Sequence, residues 1–586
     1  MAQPAPRAAA SSAAPGSAAG PAGPGAPDLL RVRLGPAAAA RCRRRVHLDA
    51  ASTEQRTIAA SALRAMDELA EHRDMVLQKI RAVHAVPAAA SADDSWRTRQ
   101  EQIVVSPSMP AGVRAGAPDL LVWAGDGYLP VIIRAHRTRD AGKGARFAPL
   151  ADPLSVRPDP QHSARRHRSD RLALAHHYRQ LTDLGRASTR AIGGVIGRGS
   201  RNDGAGPTQA ADGPEDDAAV IVWHPLDAGG SAALPDYDRR FDDRLAVARA
   251  AAAGRPPLAF PSRIGECRRC QWWTRCSAEL RAAGDISLLL AGDDVQVARA
   301  AGVGSIRTLA DLSPVDLLEL TRVLAQPAHV QVRARAWQAG IPLVRVDDRT
   351  SIRRADVEID VDAESYGEDG AYLWGALLSG AEVGVTPGYR SFVTWDRLPS
   401  PAQGAVFGAF FDHLMQVRAA AAARGLSFAV FCFGKAAEER WMLGLARRYA
   451  GTAGVPAERA VATFCASAQW IDLLLEIRRQ FVLPGSLRLK ELAGEIGFAW
   501  RDPEPGGENS LAWYRAAIGA DDGGSAEQRP APDNPMAQRL LRYNEDDVQA
   551  TLALRRWLSD RLTRLPTVAD LEGLSGAAFA ATRPAG

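Results

Sequence analysis

Asp362 and Glu364 stand two positions apart in the stretch Ile359-Asp-Val-Asp-Ala-Glu-Ser365. In an extended segment that spacing turns both side chains to one face. Two neighbouring carboxylates repel, and a divalent cation between them is the usual remedy. Far downstream, Arg542-Tyr-Asn-Glu-Asp-Asp-Val548 opens a helix-patterned segment in which Tyr543 and Asp547 lie one turn apart on one face. A second constellation is sulfur. Cys267-Arg-Arg-Cys270 and Cys276 form a C-x2-C-x5-C run, with Cys42 far upstream as the fourth thiol that a tetrahedral zinc site or a [4Fe–4S] cluster needs. Cys432 and Cys465 sit in apolar surroundings and read as small core residues.

The elements that must position these groups are spread over 586 residues, too many for one core, so several domains are expected. With 46% hydrophobic and 24% charged residues the chain is globular in character. A formal charge of +5 permits contact with nucleic acid without arguing for it. Lysine occurs only at Lys79, Lys143, Lys435 and Lys490, so the positive charge is almost all arginine. No apolar run approaches the length of a membrane span. Residues 1–28 are Ala, Pro, Gly and Ser with no hydrophobic block, so they read as a disordered tail and not as a secretory signal. A cytoplasmic, reducing compartment follows, in which clustered cysteines suggest metal or cluster ligation and not disulfides.

Along the chain, residues 52–83 carry helical periodicity. Pro118-Asp-Leu-Leu-Val-Trp123, a Gly125-Asp-Gly127 turn and Tyr128-Leu-Pro-Val-Ile-Ile-Arg134 read as paired strands. Residues 139–168 and 199–217 read as loops, the first rich in Arg, Pro and His and suited to phosphates or merely solvated. In the second half, a strand over 359–365 is followed by the apolar run 371–378 and a third strand over 389–395. A helix over 401–424 leads to the apolar strand 427–433 and to a helix from 436. A short helix is expected over 509–519, and the residues beyond 562 read as a loose tail.

D-x-E on a strand with Y-x-x-x-D on a late helix resembles the DEDD exonucleases of the ribonuclease H-like fold. The resemblance implies a further acidic residue after the strand 427–433, met by Glu438, with Glu439 as the alternative. Trp470-Ile-Asp-Leu-Leu474, Gly485-Ser-Leu-Arg-Leu-Lys-Glu-Leu-Ala493 and Gly497-Phe-Ala-Trp500 resemble the same family's "DLL … SLK-LA … G" segment. Asp472 reads there as a helix cap and Lys490 as a solvated helix residue that could meet phosphate. The family implies two Mg²⁺ or Mn²⁺ ions held by Asp362, Glu364, Glu438 and Asp547, with Tyr543 orienting the attacking water.

The earlier strand pair resembles the core of the PD-(D/E)xK fold of RecB-type nucleases. Asp119 matches that family's first metal ligand, but Ile132 and Arg134 stand where an acid and a lysine belong, and Leu174 where a Gln is expected. The resemblance thus implies a nuclease fold without its chemistry. One early and three late cysteines resemble the iron–sulfur staple of AddB-type nucleases, which implies a structural [4Fe–4S] cluster on Cys42, Cys267, Cys270 and Cys276, with zinc or no metal as the alternatives. Ala301-Gly-Val-Gly-Ser-Ile-Arg-Thr-Leu-Ala-Asp-Leu312 resembles a helix-hairpin-helix unit, implying phosphate contact at Gly302 and Gly304. The whole resembles RecB-like proteins that join such a domain to a YprB-type ribonuclease H-like domain.

The expected fold is therefore α/β and multidomain: tail 1–28, degenerate PD-(D/E)xK domain 29–285, helical unit 286–345, ribonuclease H-like domain 346–562, tail 563–586. The expected function is metal-dependent phosphodiester hydrolysis of DNA or RNA, more plausibly single-stranded, as a 3′ to 5′ exonuclease. A catalytically silent nucleic-acid-binding protein is the alternative, and a redox-sensing iron–sulfur protein a third reading.

Overall fold

The computed structural model of the chain describes residues 32–52, 60–84, 86, 94–98, 100–109, 112–198, 219–227, 232–367, 369–503, 506–519 and 534–572. The expected tail 1–28, the loop 199–217 and residues 573–586 lie outside them.

In the first half, strands Ile103–Val105, Leu120–Trp123 and Tyr128–Arg137 form an antiparallel meander. The helix Arg168–Asp183 then crosses over, and Ile192–Arg198 joins Tyr128–Arg137 in parallel. Val220–Pro225, Arg146–Pro149 and Arg157–Pro158 complete a seven-stranded mixed sheet. One face packs against the helix Ala60–His84 through Val76, Leu77 and Ile80. The other face, with Ile132, packs against Leu172 and Leu174 of Arg168–Asp183 and Tyr237 and Phe241 of Ala233–Ala252. Alternation along Tyr128–Arg137 thus feeds two cores, which is why the segment is apolar at consecutive positions.

A helical unit follows, with Asp294–Ala300, Ile306–Ala310, Pro314–Val323 and Val330–Ala339 around Val295, Ile306, Leu309, Leu320 and Val330. Ser305 and Ser313 cap two of these helices by accepting from Thr308 and Asp316 amides.

The second half is built on a five-stranded sheet in the order Gly388–Val393, Gly370–Gly380, Val357–Tyr366, Phe428–Cys432, Trp470–Asp472. The first three are antiparallel, and the last two add in parallel. Strand Val357–Tyr366 is central, and its two faces differ in kind. Val357, Ile359, Val361 and Ala363 face a core with Phe407, Phe410 and Leu414 of the helix Pro401–Ala422. Glu358, Asp360, Asp362 and Glu364 alternate with them on the opposite face, against the 27-residue helix Pro535–Arg561. Proline at its first turn and the Asn534 side chain, which accepts from the Met536 and Ala537 amides, start that helix.

The segment after 562 begins with the short helix Val568–Glu572, whose Val568 and Leu571 are buried against Val332, Ala336 and Val344. Arg335 Nη1 donates to the Leu571 and Glu572 carbonyls. Apolar spacing over so few residues was too brief a signal to separate from loose chain.

Candidate metal centre of the second half

The carboxylate face of strand Val357–Tyr366 divides into two pairs with opposite fates. Arg555, wholly buried, donates through Nη2 to Asp360 Oδ2 at 2.7 Å and through Nη1 to Glu358 Oε2 at 3.0 Å, and its guanidinium stacks on Phe431. Arg354 adds a second cation to Glu358. Both carboxylates thus have a buried counter-ion, Glu358 lying below its usual range while burial still raises Asp360 against the pull of Arg555. Two turns toward the start of the same helix, Asp547 faces Asp362 and Glu364 instead, and ligand oxygens of these three lie within 4.8 Å of one another. Among the described residues no arginine is paired with this second group, and Lys490 Nζ lies 4.0 Å from Asp547 Oδ1.

Each carboxylate is held by a neutral or weakly exposed donor. The Asn544 side-chain amide donates to Asp362 Oδ2 at 2.8 Å and is itself fixed by Tyr389, whose hydroxyl donates to Asn544 Oδ1 at 2.8 Å. Asn544 seats over Gly375, which pairs with Asp362 across the sheet, and a Cβ there would come within 2.0 Å of Asn544 Oδ1. Ser510 Oγ donates to Glu364 Oε2 at 2.8 Å from the helix Gly507–Ala517. Trp500 Nε1 donates to Asp547 Oδ1 at 2.7 Å. The Trp500 segment is in turn pinned by Arg501, which meets Asp546 at 2.7 Å and Glu545 at 2.7 Å. Tyr543 sits beside the cluster, its hydroxyl accepting from Lys490 Nζ, whose ammonium also lies 4.3 Å from the Tyr543 ring centroid.

Electrostatics records the frustration. Burial, then Asp547, Glu364 and Glu438, raise the Asp362 carboxyl well above its usual range. Burial and Asp547 push Glu364 to about 8. Burial also raises Asp547, against the pull of Lys490 and Trp500. The Tyr543 phenol is raised by burial and the three carboxylates, so it stays neutral. Glu438, on helix Lys435–Arg448, is 7% exposed, is pushed to about 7 by burial and then by Asp472 and Glu439, and leaves Oε2 without a hydrogen-bond partner. Its charge is felt at Asp362, although it lies outside the three-carboxylate group. Glu439 is engaged elsewhere, with Lys435 at 3.1 Å and Trp470 Nε1 at 3.1 Å.

Three carboxylates within reach of one another, with the orphaned buried oxygen of Glu438 in the same half, are the all-oxygen donor set that a hard divalent cation takes. The residues fit that group. Of the residues the sequence singles out, the structure brings Asp362, Glu364 and Asp547 together with Tyr543 alongside, and it adds Asn544, Ser510 and Trp500, which the sequence did not single out. Asn544 had a signal, since it lies three residues before Asp547 on one helix face. Ser510 and Trp500 come from separate segments, and nothing in their local sequence marks them. Asp472 caps the helix Leu473–Gln480, accepting from the Leu475 amide at 3.0 Å. Lys490 points at Tyr543 and Asp547, not into open solvent.

The remaining candidates are arranged as follows. Gly302, at φ 80°, and Gly304 form the turn between Asp294–Ala300 and Ile306–Ala310, and the Gly302 amide is spent on Arg299 O. Cys42, Cys267, Cys270 and Cys276 line one pocket with Glu266, Trp272 and Trp273. Its two sides are tied together: Glu266 accepts from the Cys42 amide at 2.6 Å and from Arg45, and Asp49 accepts from Trp272 Nε1 at 2.8 Å. Burial raises the thiols of Cys267 and Cys270, and that of Cys276 to about 11. Cys432 and Cys465 are buried core residues. Asp119 is claimed from two sides, by Arg73 Nε at 2.5 Å and by the Ile133 amide at 2.6 Å, while Arg134 turns to Asp170 at 3.0 Å.

Among the described residues no helix is long and apolar enough to cross a membrane. No curated protein and no solved structure matches the chain. A family model described as the RNase_H superfamily matches residues 446–559, a span that holds Lys490, Ser510, Tyr543, Asn544 and Asp547 and begins after the acidic strand. The antiparallel-then-parallel sheet and the acidic cluster agree with that match, and the second half of the chain carries a ribonuclease H-like domain, which points to a nuclease-type hydrolase of nucleic acid.

Proposed function

We propose that the protein is a metal-dependent DEDD-type nuclease that removes nucleotides from the 3′ end of single-stranded DNA or RNA. The observation that carries this reading is the convergence of Asp362, Glu364 and Asp547 within 4.8 Å, with no arginine paired to them among the described residues, while the neighbouring pair on the same strand is closed off by Arg555. Asp362, Glu364 and Asp547, with Glu438 alongside, would hold two Mg²⁺ or Mn²⁺ ions. Bound there, the cations would lower the pKa of an attacking water and offset charge on the leaving oxygen.

The chain's own groups do the rest. Asn544, Ser510 and Trp500 each fix one carboxylate, so the donors are set before substrate arrives. Tyr543, kept neutral and held by Lys490, has a hydroxyl that can orient a water. The Lys490 side chain, 30% exposed, can meet a phosphate oxygen.

The first half, in this reading, binds and does not cut. Ile132 and Leu174 are both buried in one core, where neither offers a ligand, and Arg73 already occupies Asp119. The four-cysteine pocket would hold a structural [4Fe–4S] cluster that ties the ends of that half. A reducing, cytoplasmic location fits such a site.

The test is incubation of full-length protein with 3′- and 5′-end-labelled single strands and Mn²⁺. Stepwise shortening from the 3′ end, abolished by Asp362→Ala, is expected. Retained single-strand binding without metal-dependent cleavage, or cleavage indifferent to Asp362→Ala, would overturn the nuclease reading in favour of a silent binding protein.

A further inference from the structure

The residue that holds Glu364 belongs to a helix with no short covalent tether to the acidic strand. Helix Gly507–Ala517 is kept in place by its contacts. On the side of the second half, Tyr514 stacks on Tyr372 at 4.0 Å between ring centroids and donates to Asp396 O at 2.6 Å. On its other side it meets helix Ala60–His84, which belongs to the first half's core. Arg515 Nη2 lies 3.6 Å from Glu71 and Nη1 4.0 Å from Glu68. Arg515 also reaches the Tyr366 hydroxyl, at the end of the acidic strand. Glu68 meets a second arginine, Arg198 of the first sheet, at 3.7 Å.

The same helix Ala60–His84 carries Arg73, which grips Asp119. Glu71 and Arg73 stand two positions apart, with one residue between them, so one rigid element touches the first half's would-be metal position and the support of the second half's Glu364. We infer that the first half sets the position of Glu364: Ser510 is a positioning residue for that carboxylate, and the Arg515 contact with Glu68 and Glu71 makes its placement depend on helix Ala60–His84. The inference rests on the nuclease reading only in supposing that Glu364 binds a divalent cation.

Mn²⁺ affinity of the full chain, read by isothermal titration calorimetry without turnover, tests it. Ser510→Ala should weaken Mn²⁺ binding about tenfold, and Ser510→Thr, which keeps a hydroxyl, should restore most of it. Glu68→Lys with Glu71→Lys sets two cations against Arg515 and should weaken binding about threefold to fivefold. Adding Arg515→Glu reverses the pair and should recover wild-type affinity to within a factor of two, a rescue that a general loss of stability would not give. Wild-type affinity in the Glu68→Lys, Glu71→Lys protein, or failure of the swap to rescue it, overturns the coupling. Wild-type affinity in Ser510→Ala overturns the role of Ser510. A protein that binds Mn²⁺ yet cleaves nothing would refute the nuclease reading alone, because the affinities are measured independently of cleavage.

Discussion

Removing the metal should make the second half's stability fall as pH rises, opposite to the trend of a domain whose carboxylates are salt-bridged. Glu364 is the group to follow, because its carboxyl is displaced from 4.5 to about 8 by burial and Asp547. Between those values the folded, metal-free protein keeps a proton that the unfolded chain has released. The folded state therefore binds more protons, and stability declines with pH across the window, the loss being complete above about pH 8. At about 1.4 kcal/mol for each pH unit, Glu364 and Asp547, which titrate together, set a loss of a few kcal/mol across that window. Glu438, displaced to about 7 by burial and by Asp472 and Glu439, steepens the lower part of the same window. Mn²⁺ takes the place of these protons, so its stabilising effect should be small at pH 5 and large at pH 8.5, approaching about 3 kcal/mol at a hundredfold excess over Kd. The assay is urea unfolding at pH 5, 7 and 8.5 in chelator and in Mn²⁺, reading the transition that Mn²⁺ displaces, since a chain of several units need not unfold in one step. Glu364→Gln should flatten the chelator series. Metal-free stability that is constant or rises from pH 5 to 8.5, or a slope untouched by Glu364→Gln, would refute the account of the cluster as frustrated without cations.

Other substitutions separate support from chemistry. Gly375→Ala places a Cβ within 2.0 Å of Asn544 Oδ1, so it should destabilise the second half by about 1–3 kcal/mol and weaken Mn²⁺ binding through Asp362, both read by unfolding and calorimetry. Arg555→Met leaves Asp360 and Glu358 buried without their shared cation; a loss of about 3–5 kcal/mol in urea unfolding is expected. Tyr543→Phe removes the hydroxyl held by Lys490 and should lower kcat about tenfold or more, with KM and Mn²⁺ affinity within a factor of two.

Periodicity made part of this centre legible. A two-residue step on a strand put Asp362 and Glu364 together, and a four-residue step on a helix put Tyr543 with Asp547. Both hold, because strand and helix geometry convert such spacings directly into shared faces. The spacing could not say that Asp360, equally on that face, would be spent on structure. What separates Asp360 from Asp362 is a cation eight residues beyond Asp547 on the same helix face, and Arg555 was a visible clue once the helix's direction against the strand was known. Ser510 and Trp500 were not legible at all. Each is an ordinary residue whose role comes from where a distant segment lands.

The contrast between Arg555 and Lys490 also bears on why the centre is built this way. Arg555 is buried, bidentate toward Asp360 and stacked on Phe431, and a planar fork so fixed is a permanent counter-ion. Lys490 is partly exposed, sits 4.0 Å from Asp547 and is shared with Tyr543, an arrangement that lessens repulsion without filling the space between the carboxylates. A protein in which nearly every cation is arginine keeps one of its few lysines at this point. In the proposed nuclease that leaves the seat open to a divalent ion, while Arg555 closes off the neighbouring pair on the same strand.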